Sequence, residues 1–184
     1  MKATGQLKDE HQGVLLMISI LEKIGQKLKD GEAVDPIHLK QALEFLQVFV
    51  DKCHHDKEES LLFPEVRKTA DRVENEVMDI LIQEHELGRE YIKLLKDSIE
   101  KYDMGDKAAG EEVTENISNY AGLIKGHIEK ENEVLFKEVD EKVSESVQNE
   151  LYEGFENIEV EKIGEGKHEE FHRMLDDLSK IYLQ

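Results

Sequence analysis

The chain has 184 residues, 39% of them hydrophobic and 36% charged, and a formal net charge of −19. A surface that acidic repels phosphate backbones and excludes a nucleic-acid-binding role, while regularly spaced apolar residues exclude a disordered acidic chain. There is no apolar run long enough to span a membrane and no signal-peptide order at the start, and one cysteine permits no intrachain disulfide, so the expected setting is cytoplasmic, with no membrane partner.

Leu7, His11, Val14, Ile18, Leu21, Gly25 and Leu28 recur in alternating steps of four and three. That spacing predicts a first helix with one interior stripe, and Gly31 follows as its stop. Asp35 then reads as an N-cap with Pro36 at the first helical position. The second helix carries Leu39, Leu43, Leu46, Val50, His54, Glu58 and Leu61 on one face and is expected to stop near Pro64. Val77, Leu81, His85, Gly88, Ile92, Leu95, Ile99 and Tyr102 form the stripe of a third helix, and Val113, Ile117, Tyr120, Ile124, His127, Glu131 and Leu135 that of a fourth. The connections, 31–35, about 66–73 and 103–110, are short. Short loops make antiparallel neighbours, so the expected fold is all-α, an up-down-up-down four-helix bundle over about residues 4–140. Two shorter helical stretches, about 144–159 and 166–183, are split around Gly164 and Gly166. They are too small to form a core of their own and are expected to pack on the bundle, giving a single domain over 1–184.

Six of the interior positions are polar: His11, His54, Glu58, His85, His127 and Glu131. A lone interior histidine is ordinary, but carboxylates are rarely buried without a partner or a cation. These residues also repeat. His54 to Glu58 and His127 to Glu131 are both H-x-x-x-E, followed at equal distance by Leu62-Phe63 and Leu135-Phe136, and then by Glu65-Val66 and Glu138-Val139. Upstream, Glu10-His11 matches Glu84-His85. The offset is 74 residues for the lone histidines and 73 for the H-x-x-x-E pairs. The chain therefore reads as two similar helical hairpins. Residues at i and i+4 lie one turn apart on one face, so packing the hairpins with pseudo-twofold symmetry brings four imidazoles and two carboxylates to one level. That set suits a dinuclear metal site with terminal imidazoles and bridging carboxylates. Nitrogen and oxygen donors without thiolate suit iron, with manganese or zinc as alternatives.

The order His11, then His54-His55-Asp56-Lys57-Glu58-Glu59-Ser60-Leu61-Leu62-Phe63-Pro64, then Glu84-His85-Glu86, then His127 through Phe136, resembles the hemerythrin-like (HHE cation-binding) family. The resemblance covers about residues 7–140. It implies a non-heme di-iron centre in a helical bundle, with Glu58 and Glu131 bridging two iron ions, and a small diatomic ligand such as oxygen or nitric oxide. Two departures stand out. Oxygen carriers of the family have a further histidine one turn after the third-helix ligand, where this chain has Arg89. Their fourth-helix carboxylate is an Asp at i+5, where this chain has Glu131 at i+4. Both departures resemble members linked to nitric-oxide stress and iron-centre repair more than the oxygen carriers.

The tail holds His168-Glu-Glu-Phe-His172, which matches the H-E-x-x-H zinc-protease signature with Glu169 as the general base. Only twelve residues follow, with no His or Glu among them to act as a third ligand, and no strand signal marks a cleft. Given the family pattern, the alternative use is a supplementary metal ligand from His172, or His168, folded over the open end of the site; an exposed His pair is the plain alternative. His55 sits ~100° from His54 on an α-helix and is expected beside the centre or at the surface, as is Glu59. His38 is expected to be exposed, Cys53 to pack, and Tyr120 to be a core aromatic or a partner of bound ligand.

The leading function is a di-iron protein that binds, senses or reacts with oxygen, nitric oxide or peroxide. A stand-alone sensor of this kind needs a protein partner. A ferritin-type ferroxidase uses Glu-x-x-His on two helices, whereas here that pattern occurs only as Glu165–His168 and Glu169–His172 on one tail helix. A metal-free interaction bundle with a polar core is the third reading.

Overall fold

The computed structural model describes residues 2–184, and among them the chain forms six helices and no strand. Helix α1 is Ala3–Lys29. Helix α2 is a continuous run that starts as an α-helix at Pro36–Glu44, passes through wide π turns at Phe45–His55 and Glu58–Leu62, and ends as the α segment Phe63–Arg67. Helix α3 is Arg72–Asp103. Helix α4 is Ala109–Lys130, continued by a π turn at Glu131–Leu135 and by Phe136–Lys142. The tail forms α5, Glu145–Lys162, and α6, Lys167–Tyr182.

Local chemistry sets these boundaries. After α1, Gly31 takes a φ of 78°, a left-handed conformation that favours glycine. The Asp35 carboxylate accepts from the Ile37 amide at 2.9 Å and caps α2. Asp71 and Glu74 form a reciprocal capping box at the start of α3: Asp71 accepts from the Val73 and Glu74 amides at 2.8 and 3.0 Å, and Glu74 accepts from the Asp71 amide at 2.7 Å.

Helix α2 stops near Pro64, running three residues past it to Arg67. The π turn over Glu58–Leu62 explains those three residues. It resets the hydrogen-bond register just before Pro64, so the proline falls in the first turn of the next α segment, where a missing N–H leaves no bond unmade.

The predicted stripes are interior except near their ends, where Leu28, Leu61, Val77 and Tyr102 are half-buried. The apolar interior falls into two clusters. One holds Leu7 of α1, Leu62 and Phe63 of α2, Leu81 of α3, and Leu135 and Phe136 of α4. The other holds Val14 and Ile18, Leu46 and Val50, Ile92 and Leu95, and Ile117 and Ile124 of the same four helices. On α1 to α4 the buried residues His11, His54, Glu58, His85, His127 and Glu131 lie where one cluster gives way to the other. The tail packs against both: Leu151 and Phe155 of α5 join the first cluster, and Phe171, Leu175 and Leu178 of α6 join the second. Among the described residues, no helix is long and apolar enough to cross a membrane.

Candidate metal centre

The structure brings His11, His54, Glu58, His85, His127 and Glu131 together, each at most 2% exposed. Their atoms form two donor groups: His11, His54, Glu58 and Glu131, and Glu58, His85, His127 and Glu131. The carboxylates belong to both. One Glu58 oxygen lies 3.5 Å from His54 Nε2 and the other 3.4 Å from His85 Nε2. One Glu131 oxygen lies 3.1 Å from His11 Nε2 and the other 3.1 Å from His127 Nε2. Each carboxylate thus spans from one imidazole pair to the other.

The outer face of each ring fixes which nitrogen carries the proton. His54 Nδ1 donates to Glu10 at 2.7 Å, His127 Nδ1 to Glu84 at 3.0 Å, His85 Nδ1 to Glu59 at 2.6 Å and His11 Nδ1 to the Asn132 side-chain oxygen at 3.0 Å. These partners are acceptors, so Nδ1 holds the hydrogen and the neutral ring turns the Nε2 lone pair inward. The inward nitrogens then face each other, His11 to His54 at 3.0 Å and His85 to His127 at 3.1 Å. All four oxygens of Glu58 and Glu131 are buried without a hydrogen-bond partner. Imidazole nitrogens facing one another around orphaned carboxylates make a set that lacks only cations. By donor type and orientation, these residues fit metal ions.

The electrostatics agree. Burial, then the charge of Glu131, push the Glu58 carboxyl well above its usual range. Burial opposes ionisation of Glu131 as well, but His127 and His11 outweigh it and hold that carboxyl well below its usual range. Burial also opposes the His127 imidazolium, yet Glu131 and Glu84 hold its pKa up at about 9. Without cations this core cannot keep both carboxylates ionised. Metal uptake must therefore displace protons, from Glu58 and from the His127 imidazolium.

The partners on the outer face follow the repeat. Glu10 and Glu84 are the two glutamates that precede the lone histidines, and each serves the histidine of the other helix in its hairpin. Lys57 and Lys130, 73 residues apart, pair with them: Lys57 with Glu10 at 2.5 Å and Lys130 with Glu84 at 2.8 Å. The Glu-His matches in the sequence were the signal for these partners, hidden among 43 acidic residues.

Of the two places expected for His55, the structure takes the one beside the centre: it is 3% exposed and stacked on His85 with ring centroids 3.8 Å apart. An α-helical step of ~100° would turn it away from His54. In the π turn over Phe45–His55 the angular step between neighbours is smaller, and His54 and His55 both turn inward. Glu59 is half-buried and bonded to His85 and Arg89. Tyr120 is a core aromatic whose hydroxyl has no partner. Cys53 is buried, and burial pushes its thiol up to about 12, so it stays protonated. His38 is half-buried and bonded to the Tyr182 hydroxyl at 2.7 Å.

The structure does not bring His172 to the cluster. Phe171 and Leu175 seat α6 in the apolar core, which turns His172 outward to the exposed surface. There His172 Nε2 meets His168 Nε2 at 2.8 Å, beside a cavity of about 270 Å³ also lined by Glu10 and Phe49. His168 Nδ1 donates to Glu159 at 2.6 Å, and Glu159 accepts from Lys57 at 3.1 Å. The H-E-x-x-H pair thus reaches the centre only through a chain of side chains that ends at Glu10 and His54. Glu169 is exposed. His172→Ala and Glu169→Ala protein should both retain wild-type metal content by elemental analysis. Loss of metal in either would move the site to the tail.

The family model for the hemerythrin HHE cation-binding domain matches residues 2–139. No curated protein and no solved structure matches the chain.

Proposed function

The chain belongs to the hemerythrin HHE cation-binding domain family, and from that premise we propose a non-heme di-iron protein that binds oxygen or nitric oxide at a carboxylate-bridged centre. His11 and His54 would hold one ion and His85 and His127 the other, with Glu58 and Glu131 each offering an oxygen to both. The carrying observation is that both carboxylates are fully buried, have no hydrogen-bond partner on any oxygen, and each spans the two imidazole pairs. Nitrogen and oxygen donors without thiolate favour iron over softer-ligand metals.

The iron pair supplies redox capacity and positions for a small ligand. The chain's residues do the rest. Glu10, Glu59, Glu84 and Asn132 hold the rings in the tautomer that ligates. Phe136 stacks on His11 and Phe63 on His85, with centroids 5.6 and 6.1 Å apart, and close the apolar end of the site against bulk water.

We read α1 to α4 as running up-down-up-down. In support, α1 and α3 meet the Leu7–Phe136 cluster before the polar layer, whereas α2 and α4 meet it after. The tail helices belong to the same domain over 1–184, and the setting is cytoplasmic. Iron quantitation with optical spectra tests this reading. The expected result is two irons per chain and bands that change when oxygen or nitric oxide is added to the reduced protein. Iron-loaded protein with spectra indifferent to both ligands would refute small-ligand binding.

A further inference from the structure

The two hairpins match closely around the centre, as His11/His85, His54/His127 and Glu58/Glu131 inside it and Glu10/Glu84 and Lys57/Lys130 around it. At the same 73-residue offset, His55 corresponds to Ile128. Ile128 packs into an apolar cluster, as a repeat position with no polar duty should. His55 is equally buried, yet neither of its ring nitrogens has a hydrogen-bond partner. A buried imidazole must place an N–H and a lone pair, and leaving both unmet forfeits the hydrogen bonds that each made with water. Stacking on His85 does not meet that need.

The surroundings of His55 resemble those of the four inner histidines. Its Nδ1 faces the Asp51 carboxylate one turn earlier, at 3.6 Å, too long for a hydrogen bond but with the same outward polarity. Asp51 is held at 2.7 Å by Arg89 Nε, and Arg89 also donates to Glu59, the partner of His85, at 2.8 Å. Arg89 thus positions the carboxylates behind two adjacent imidazoles. Donor atoms of His55, His85 and His127 all lie within 4.8 Å of one another.

We propose that His55 is a fifth imidazole ligand, given to the ion on His85 and His127 and to no other, so that the two metal positions are chemically unequal. This rests on the dinuclear reading above. The side with His55 then has three imidazoles and the side with Ile128 has two. Ions should enter in order, with the three-imidazole position filling first.

Anaerobic cobalt(II) titration of the full chain, followed by calorimetry and visible absorption, is the test. Wild-type protein should take up two cobalt ions with distinguishable affinities. His55→Phe preserves a stacked ring but removes both nitrogens. It should weaken one of the two sites at least tenfold and shift the visible bands of that ion alone. The tenfold floor follows because loss of a mere outer partner already weakens metal binding by about 10–100-fold. His55→Ala offers a second route should the larger ring disturb packing, and added imidazole should restore its bands. Two wild-type affinities with unchanged bands in the variants would overturn the proposal while leaving the dinuclear centre intact. Weakened uptake with unchanged bands would mark a packing role and overturn it equally. Failure of wild-type protein to bind a second cobalt ion would sink the dinuclear reading and the His55 assignment with it.

Discussion

Glu58→Ala or Glu131→Ala protein is expected to hold at most one iron per chain and to lose any spectral response to oxygen or nitric oxide. Each carboxylate reaches one imidazole pair with each of its oxygens. Removing one therefore takes a donor from both positions and leaves like-charged cations in a low-dielectric core with less compensating charge. The conservative changes Glu58→Gln and Glu131→Gln keep volume and one donor oxygen but remove the negative charge, and should fall between. The metal-free Glu58→Ala protein should be no less stable than metal-free wild type, because it removes a carboxyl that burial already keeps protonated. Elemental analysis and urea unfolding check both points. Two irons retained in the alanine variants would show that the carboxylates do not bridge.

Lys57→Met is expected to destabilise the protein by about 3–5 kcal/mol, the range for removing one partner of a buried ion pair. Lys57 is fully buried, with its ammonium on Glu10 at 2.5 Å and on Glu159 at 3.1 Å. Burial by itself would raise the Glu10 carboxyl, yet bonds and charges from His54 and Lys57 bring it from 4.5 down to about 2. A carboxyl depressed in the folded state contributes stability that is complete above its unfolded pKa. That contribution, about 3 kcal/mol for a shift of this size, is lost as pH falls from about 4.5 through 2. Wild-type protein should therefore lose stability steeply in that window, and Lys57→Met less steeply. Glu10→Gln combined with Lys57→Met should recover part of the loss, since no charge is then stranded. A change below about 1 kcal/mol in Lys57→Met urea curves would mean that the buried triad contributes little.

The six inner residues were legible because each lies on a stripe whose apolar members fix the interior face, and because the second hairpin repeats the first. Periodicity placed His11 between Leu7 and Val14, and the structure keeps all three buried. The same reasoning loses detail where the helix departs from α geometry. The full burial of His55 and the residues of α2 beyond Pro64 both follow from π turns, and no residue in Phe45–His55 announces one. The outward turn of His172 was hidden for another reason. It depends on how Phe171 and Leu175 dock on α1 and α2, a tertiary contact that local pattern does not carry. The Lys57–Glu10 pair is of the same kind, formed between residues 47 apart on different helices.

Anomalous diffraction at the iron edge, from crystals of anaerobically iron-loaded protein, tests the central claim most directly. The expected map has two peaks per chain, one beside His11 and His54 and one beside His85 and His127, with Glu58 and Glu131 shared between them. A single peak, or density at His168 and His172 instead, would contradict the two-metal centre.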